Sequence, residues 1–138
     1  MKKLSFVAVV LPLLVASGCN SNDPKAKMRR ATREYTDAAT LLASVKDANS
    51  FEAAKPQLRK HFAWVRVQNR DAKANSDKGK NVSQDYANKS MKEYEALSKE
   101  PEFKELMEAL TRYASELLRA MMAVPGFQQF QTEEMAKS

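Results

Sequence analysis

Two side chains set the limits of what this chain can do chemically: Cys19 and His61, the only cysteine and the only histidine in 138 residues. One thiol forms no intrachain disulfide, and one Cys with one His cannot build a Cys/His zinc site. Nucleophile–base chemistry has His61 as its sole imidazole, so a Ser–His–Asp or Cys–His arrangement has a single place to form. Neither His-x3-His nor Glu-x-x-His spacing occurs, and carboxylate-bridged metal centres in helical bundles need such a pair. His61 stands between Lys60 and Phe62 at the margin of an apolar stripe, a position that predicts a surface or boundary histidine. Six methionines follow Cys19, among them Met121 and Met122. Their scattered, core-like spacing suits gap filling better than a copper(I) thioether site. No Gly-rich phosphate loop and no haem-attachment motif is present. The expectation is a protein without catalysis, cofactor or metal.

The chemistry of Cys19 follows from what precedes it. Lys2 and Lys3 give a positive start, and Leu4 to Val15 is apolar except for Ser5 and Pro12. Ala16, Ser17 and Gly18 are small. This is the layout of a secretory signal peptide. Its apolar run of about twelve residues is short of the roughly twenty that a membrane-spanning helix needs. The segment Val15-Ala16-Ser17-Gly18-Cys19 resembles a bacterial lipobox, with Ala16 where that family prefers Leu. The resemblance implies that the sulfur becomes thioether-linked to diacylglycerol and the freed amine is acylated. Several acyl chains, at about 0.8 kcal/mol per buried methylene, anchor a protein stably where one does not. The alternative is an ordinary secretory signal cut after Gly18, leaving a plain thiol. Residues 1–18 are therefore read as a lipoprotein signal peptide and 19–23 as a polar tether. Asn20, rather than Asp, after the cysteine resembles the default for the outer membrane, facing the periplasm.

With 43% hydrophobic and 29% charged residues, the length suits one small domain. Five Pro and three Gly are too few for a turn-rich sandwich or barrel. Charge is uneven. Residues 25–80 carry 14 Lys/Arg against 6 Asp/Glu, and residues 81–138 carry 7 against 10. One reading is a basic helical half packed beside an acidic one. The other is contact of Lys25, Lys27, Arg29, Arg30 and Arg33 with anionic lipid headgroups, at about 1 kcal/mol per cation near the surface.

Helical periodicity dominates the rest. Asp23-Pro24 is a helix start, with a cap and then proline at the first position. Met28, Ala31, Tyr35, Ala38, Leu42 and Val45 then form one apolar stripe over about 22 residues. Lys46 to Ser50 breaks it, and Ser50 is the expected cap of a second helix whose face is Phe51, Ala54, Leu58, Phe62, Val65 and Ala72. Pro56 is expected to kink or split that helix, and Asn75 to Asn81 to form a loop. A weak third helix from near Ser83 carries Tyr86, Ser90, Tyr94 and Leu97. The fourth is strongest, with Phe103, Leu106, Leu110, Tyr113, Leu117, Ala120 and Val124. Glu95–Lys99, Glu100–Lys104 and Glu108–Arg112 have the spacing of helical ion pairs. Pro125-Gly126 ends the helix, Phe127 and Phe130 add a short turn, and 132–138 reads as a flexible tail. No stretch alternates with period two. The fold class is all-α: an antiparallel bundle of three to four helices over 24–131.

The corner from Thr40 to Leu58 holds Leu42, Val45, Asp47, Ser50, Ala54, Pro56 and Leu58. That arrangement resembles small helical lipoproteins of planctomycete type. The resemblance covers about 20 residues besides the lipobox and implies a class and a compartment, not an activity. Physically, Asp47 and Ser50 serve turn and cap, and Pro56 fixes the entry of the second helix.

Arg59, Lys60, Trp64, Arg66 and Arg70 interleave cations with an aromatic on one helix. In the cytosol that pattern suggests nucleic acid; beyond an export signal it does not. Trp64 either packs on a neighbouring helix or, with Arg66, contacts a protein partner or a second copy. These features lead to the expectation of a lipid-anchored, non-enzymatic envelope module. The alternative is a periplasmic bundle holding a small apolar ligand among Tyr35, Phe62, Trp64 and Tyr113.

Overall fold

The computed structural model describes residues 23–79 and 84–137. The expected signal peptide, Cys19 and the expected tether up to Asn22 lie outside the described residues. Among those described, all regular structure is helical: α1 (Pro24–Ala43), α2 (Ala48–Gly79), α3 (Gln84–Ser98), α4 (Pro101–Ala123) and α5 (Phe127–Ala136). Five is one more than the upper end of the three to four expected, because the turn after Pro125-Gly126 propagates into a helix. None of the five is long and apolar enough to cross a membrane.

Helix α1 starts where the sequence directs. The Asp23 carboxylate accepts a hydrogen bond from the Lys25 N–H at 3.0 Å, and the Asp23 carbonyl accepts one from Lys27 at 3.3 Å. All six residues of the stripe from Met28 to Val45 are buried.

The cap of α2 lies three residues before its expected place. Asp47, not Ser50, caps the helix. Its carboxylate accepts from the Ser50 N–H at 2.8 Å, and its carbonyl from the Phe51 N–H at 3.0 Å. The Ser50 hydroxyl reaches back to accept from the N–H groups of Lys46 and Asp47 at 2.8 and 3.0 Å. This is a reciprocal capping box with serine in the third position. Hydrogen bonds donated to it by the Ser50 N–H and then by the Ser50 hydroxyl hold the Asp47 carboxyl below the usual carboxylate range.

Pro56 does not divide α2. It forfeits one backbone hydrogen bond, but Phe51, Ala54, Leu58 and Phe62 on both sides of it are buried. Packing of that face holds the helix together across the gap. The helix also continues through the expected loop as far as Gly79, and residues 80–83 lie outside the described residues.

The chain forms two compact units. In one, the described residues up to Arg30 gather with Val67–Glu105. Met28 is buried there, and Tyr94 meets Phe103 edge-on at 5.8 Å. Lys25 pairs with Glu100 at 3.2 Å, and Arg29 with Glu102 at 3.6 Å. Glu100 thus faces α1 rather than Lys104, and basic α1 sits beside acidic rims.

The other unit joins Ala31–Arg66 with Leu106–Ser138. Its core is Leu42, Val45, Phe51, Ala54, Leu58, Phe62, Ala120, Val124, Phe127 and Phe130. Arg119 crosses to the end of α1, donating to the carbonyls of Leu42 at 2.6 Å and Val45 at 3.0 Å. A cation at a helix C-terminus satisfies orphan carbonyls and opposes the dipole. Gly126 adopts φ +83, the left-handed turn that lets α5 start immediately. The expected flexible tail is helical to Ala136, and Glu134 within it is 5% exposed.

Candidate functional site

Helices α1, α2 and α4 bring Tyr35, His61, Trp64 and Tyr113 together. Tyr35 lies edge-on to Tyr113 at 4.9 Å and to Trp64 at 5.4 Å. His61 stacks on Trp64 at 6.3 Å and meets Tyr113 at 5.1 Å. Three of the four residues expected to surround an apolar ligand, Tyr35, Trp64 and Tyr113, are thus brought together in one cluster of rings. Phe62 belongs instead to the core beside Phe130.

His61 is not a surface or boundary residue. It is 6% exposed, one position from Phe62 on the inner side of α2. Sequence periodicity put it at the edge of the stripe, and the two tyrosines from α1 and α4 close over that edge. Burial lowers its pKa to about 4, so the imidazole is neutral at pH 7. Burial likewise pushes the Tyr35 hydroxyl up to about 12 and raises that of Tyr113 further.

The tautomer follows from counting partners. His61 Nε2 lies 2.9 Å from the Tyr113 hydroxyl, and Nδ1 is buried without a partner. If Nε2–H donated to the phenol, both the phenolic proton and the Nδ1 lone pair would be left unmet. If the phenol donates to Nε2, only the Nδ1–H is unmet. Leaving fewer buried polar groups unsatisfied costs less, which assigns the proton to Nδ1.

A half-open recess of about 250 Å³ adjoins this cluster, in the same unit. Glu34, Asp37 and Leu41 of α1 line one side, and Lys60, His61 and Trp64 of α2 the other. Trp64 is half-buried, so its indole is shared between the ring cluster and the recess.

Arg66 is committed within the fold. It donates to the Glu134 backbone carbonyl and stands 3.8 Å from the Glu134 carboxylate. Arg59 reaches the same carboxylate at 3.2 Å and Lys137 at 2.8 Å. Hydrogen bonds from Lys137 and then Arg59 hold the Glu134 carboxyl below the usual range. Of the two side chains expected to meet a partner, Trp64 retains partial exposure and Arg66 is tied to α5.

The exposed stripe of α4 changes character along its length. Lys104, Glu105, Glu108 and Arg112 are exposed in its first three turns, followed by Ser115. Leu118, Met122 and Ala123 then face solvent, with Leu118 at 54% and Met122 at 80% exposure. The doublets Leu117-Leu118 and Met121-Met122 carried this signal. A stripe through Leu117, Ala120 and Val124 buries one face and turns the second member of each doublet outward.

Among the described residues, no group of three or more His, Cys, Asp or Glu side chains is placed to hold a metal ion. No family model, curated protein or solved structure matches the chain.

Proposed function

We propose that this chain is a lipid-anchored helical-bundle module of the bacterial cell envelope that binds a protein partner and catalyses no reaction. Acylated Cys19 tethers it to the outer membrane, facing the periplasm, and Asn20 to Asp23 space the bundle from the bilayer. The observation that carries the binding half of this reading is the exposed Leu118–Met122 face of α4. Two large apolar side chains one turn apart form the ridge that fits a groove between helices of a partner, and methionine adapts to such a groove. Of the charged residues nearest in sequence, Glu116 and Arg119 pair with each other at 3.0 Å. A face whose charges are already paired suits protein better than anionic headgroups.

The experiment joins both halves. Wild type, Cys19→Ala and Leu118→Glu/Met122→Glu are expressed in a bacterial host and taken from detergent-solubilised envelope. Intact mass should show diacylglycerol and acyl additions on wild type, and Cys19→Ala should leave the membrane fraction. Crosslinked wild type should yield a defined protein complex that the double glutamate variant loses and a Lys104→Glu control keeps. A bare thiol at residue 19 overturns the anchor, and a complex indifferent to the double variant overturns the face.

A further inference from the structure

We propose that the ring cluster of Tyr35, His61, Trp64 and Tyr113 is a path for one-electron oxidation: an oxidising equivalent received at Trp64 passes to Tyr113, whose phenolic proton moves to His61. The oxidant is a radical that takes up one electron at the protein surface, such as a peroxyl or azide radical. Neither Cys19 nor the exposed α4 face takes part. Three observations converge. The first is the point of entry. Trp64 is half-buried, so part of its indole meets solvent while the ring lies edge-on to Tyr35 at 5.4 Å. Indole gives up an electron without first losing a proton, whereas a neutral phenol does not do so readily.

The second is continuity. Tyr35, 4% exposed, stands between Trp64 at 5.4 Å and Tyr113 at 4.9 Å. At these separations ring edges touch, so an electron crosses from α4 to α2 through the Tyr35 ring without entering solvent. The third is the far end of the path. The Tyr113 hydroxyl lies 2.9 Å from His61 Nε2, the ring nitrogen that carries no proton. Burial keeps the phenol protonated and the imidazole neutral at pH 7, so acid and base stand ready in contact. A phenol that loses an electron becomes a far stronger acid than an imidazolium, even one destabilised by burial, and its proton crosses the existing hydrogen bond. His61 is the only histidine, its Nδ1 has no partner and its Nε2 meets Tyr113, so no other described tyrosine has an imidazole to receive its proton.

The step balances. The oxidant takes one electron from the Trp64 indole and is reduced. Trp64 recovers that electron from Tyr113 by way of the Tyr35 ring, which ends unchanged. The O–H bond of Tyr113 breaks and an N–H bond forms at Nε2. The products are the reduced oxidant, a neutral tyrosyl radical and a His61 imidazolium. The exposed indole is thereby restored, and the radical resides on a phenol screened by Tyr35 and His61. One chain absorbs one equivalent in this way, without turnover.

Trp64 is the only tryptophan in the chain, so an indolyl radical signal belongs to it alone. Purified full chain is exposed to azide radicals made by pulse radiolysis, and time-resolved absorption separates indolyl from tyrosyl radicals. The expected result is an indolyl signal that forms first and decays as a tyrosyl signal grows, at a rate independent of protein concentration. Tyr113→Phe keeps the ring and removes only the hydroxyl; it should slow that decay by about tenfold or more. Tyr35→Phe keeps the bridging ring and should leave the transfer in place. Heavy water should slow the wild-type transfer, because an O–H bond breaks in it, a signature that packing alone does not produce. An indolyl signal that persists without a matching tyrosyl rise overturns the proposal. So does a transfer that quickens with protein concentration, or one that heavy water or Tyr113→Phe leaves unchanged.

Discussion

Nε2 of His61 lies 2.9 Å from the phenolic oxygen of Tyr113, a residue 52 positions further along the chain. The bond ties α2 to α4 through two buried groups, and it makes the imidazole both structural and titratable. Its folded pKa of about 4 lies below the ordinary value of 6.5. The unfolded chain therefore takes up the proton first on acidification. Stability from this group is whole above the ordinary value and declines as pH falls from there toward 4. The loss is at most about 3 kcal/mol. Urea denaturation at about pH 7.5 and about pH 4.5 should show this decline in wild type and a smaller one in His61→Gln. Equal declines in both proteins would exclude His61 as the source.

Arg119 should matter more than its partial exposure suggests. Arg119→Ala strips two hydrogen bonds from the carbonyls of Leu42 and Val45 at the end of α1. The expected cost is about 2 kcal/mol. Arg119→Lys restores the charge but not the fork, and should recover part of the loss. Denaturant midpoints of the three proteins measure this.

Ser50→Ala removes the acceptor for the Lys46 and Asp47 N–H groups while leaving Asp47 in place. It should destabilise by about 1 kcal/mol. Hydrogen exchange should quicken in the first turn of α2 and not in α4. Uniform quickening would mean the corner is a general hinge rather than a local cap.

Glu134→Gln leaves Arg59 and Lys137 without their anion, whereas Arg66 keeps the backbone carbonyl. The variant should melt at a lower temperature than wild type at neutral pH. Because the wild-type carboxyl titrates below its ordinary range, its contribution is present above that range and lost as pH falls through the lowered value. The two melting curves should therefore converge in acid, and added salt should narrow the gap at neutral pH. A gap that persists in strong acid would point to packing instead.

Much of the helical skeleton was legible from spacing. The stripe from Met28 to Val45 is buried residue for residue, since a 3.6-residue period translates directly into a face. Asp23 and Pro24 marked the start of α1 by their chemistry. Legibility failed where long-range packing overrode local preference. Pro56 reads as a break, but the buried residues flanking it decide otherwise. His61 reads as marginal because one helix does not reveal that tyrosines from two others close over it. Glu100 has the spacing to pair with Lys104, four positions on, but reaches Lys25, and Glu102 reaches Arg29. No periodicity signals partners so distant in sequence. The Glu34–Asp37–Lys60 recess was missed for the same reason: its walls are brought together only by folding.

The burial of Glu134 has a practical side. Proteolysis or engineered shortening that removes α5 takes Phe127 and Phe130 out of the core and leaves the guanidinium groups of Arg59 and Arg66 without their shared carboxylate. A purification handle fused directly to Lys137 would tug on the same clasp. A flexible spacer ahead of the handle, or display from the opposite end, keeps the fastening shut.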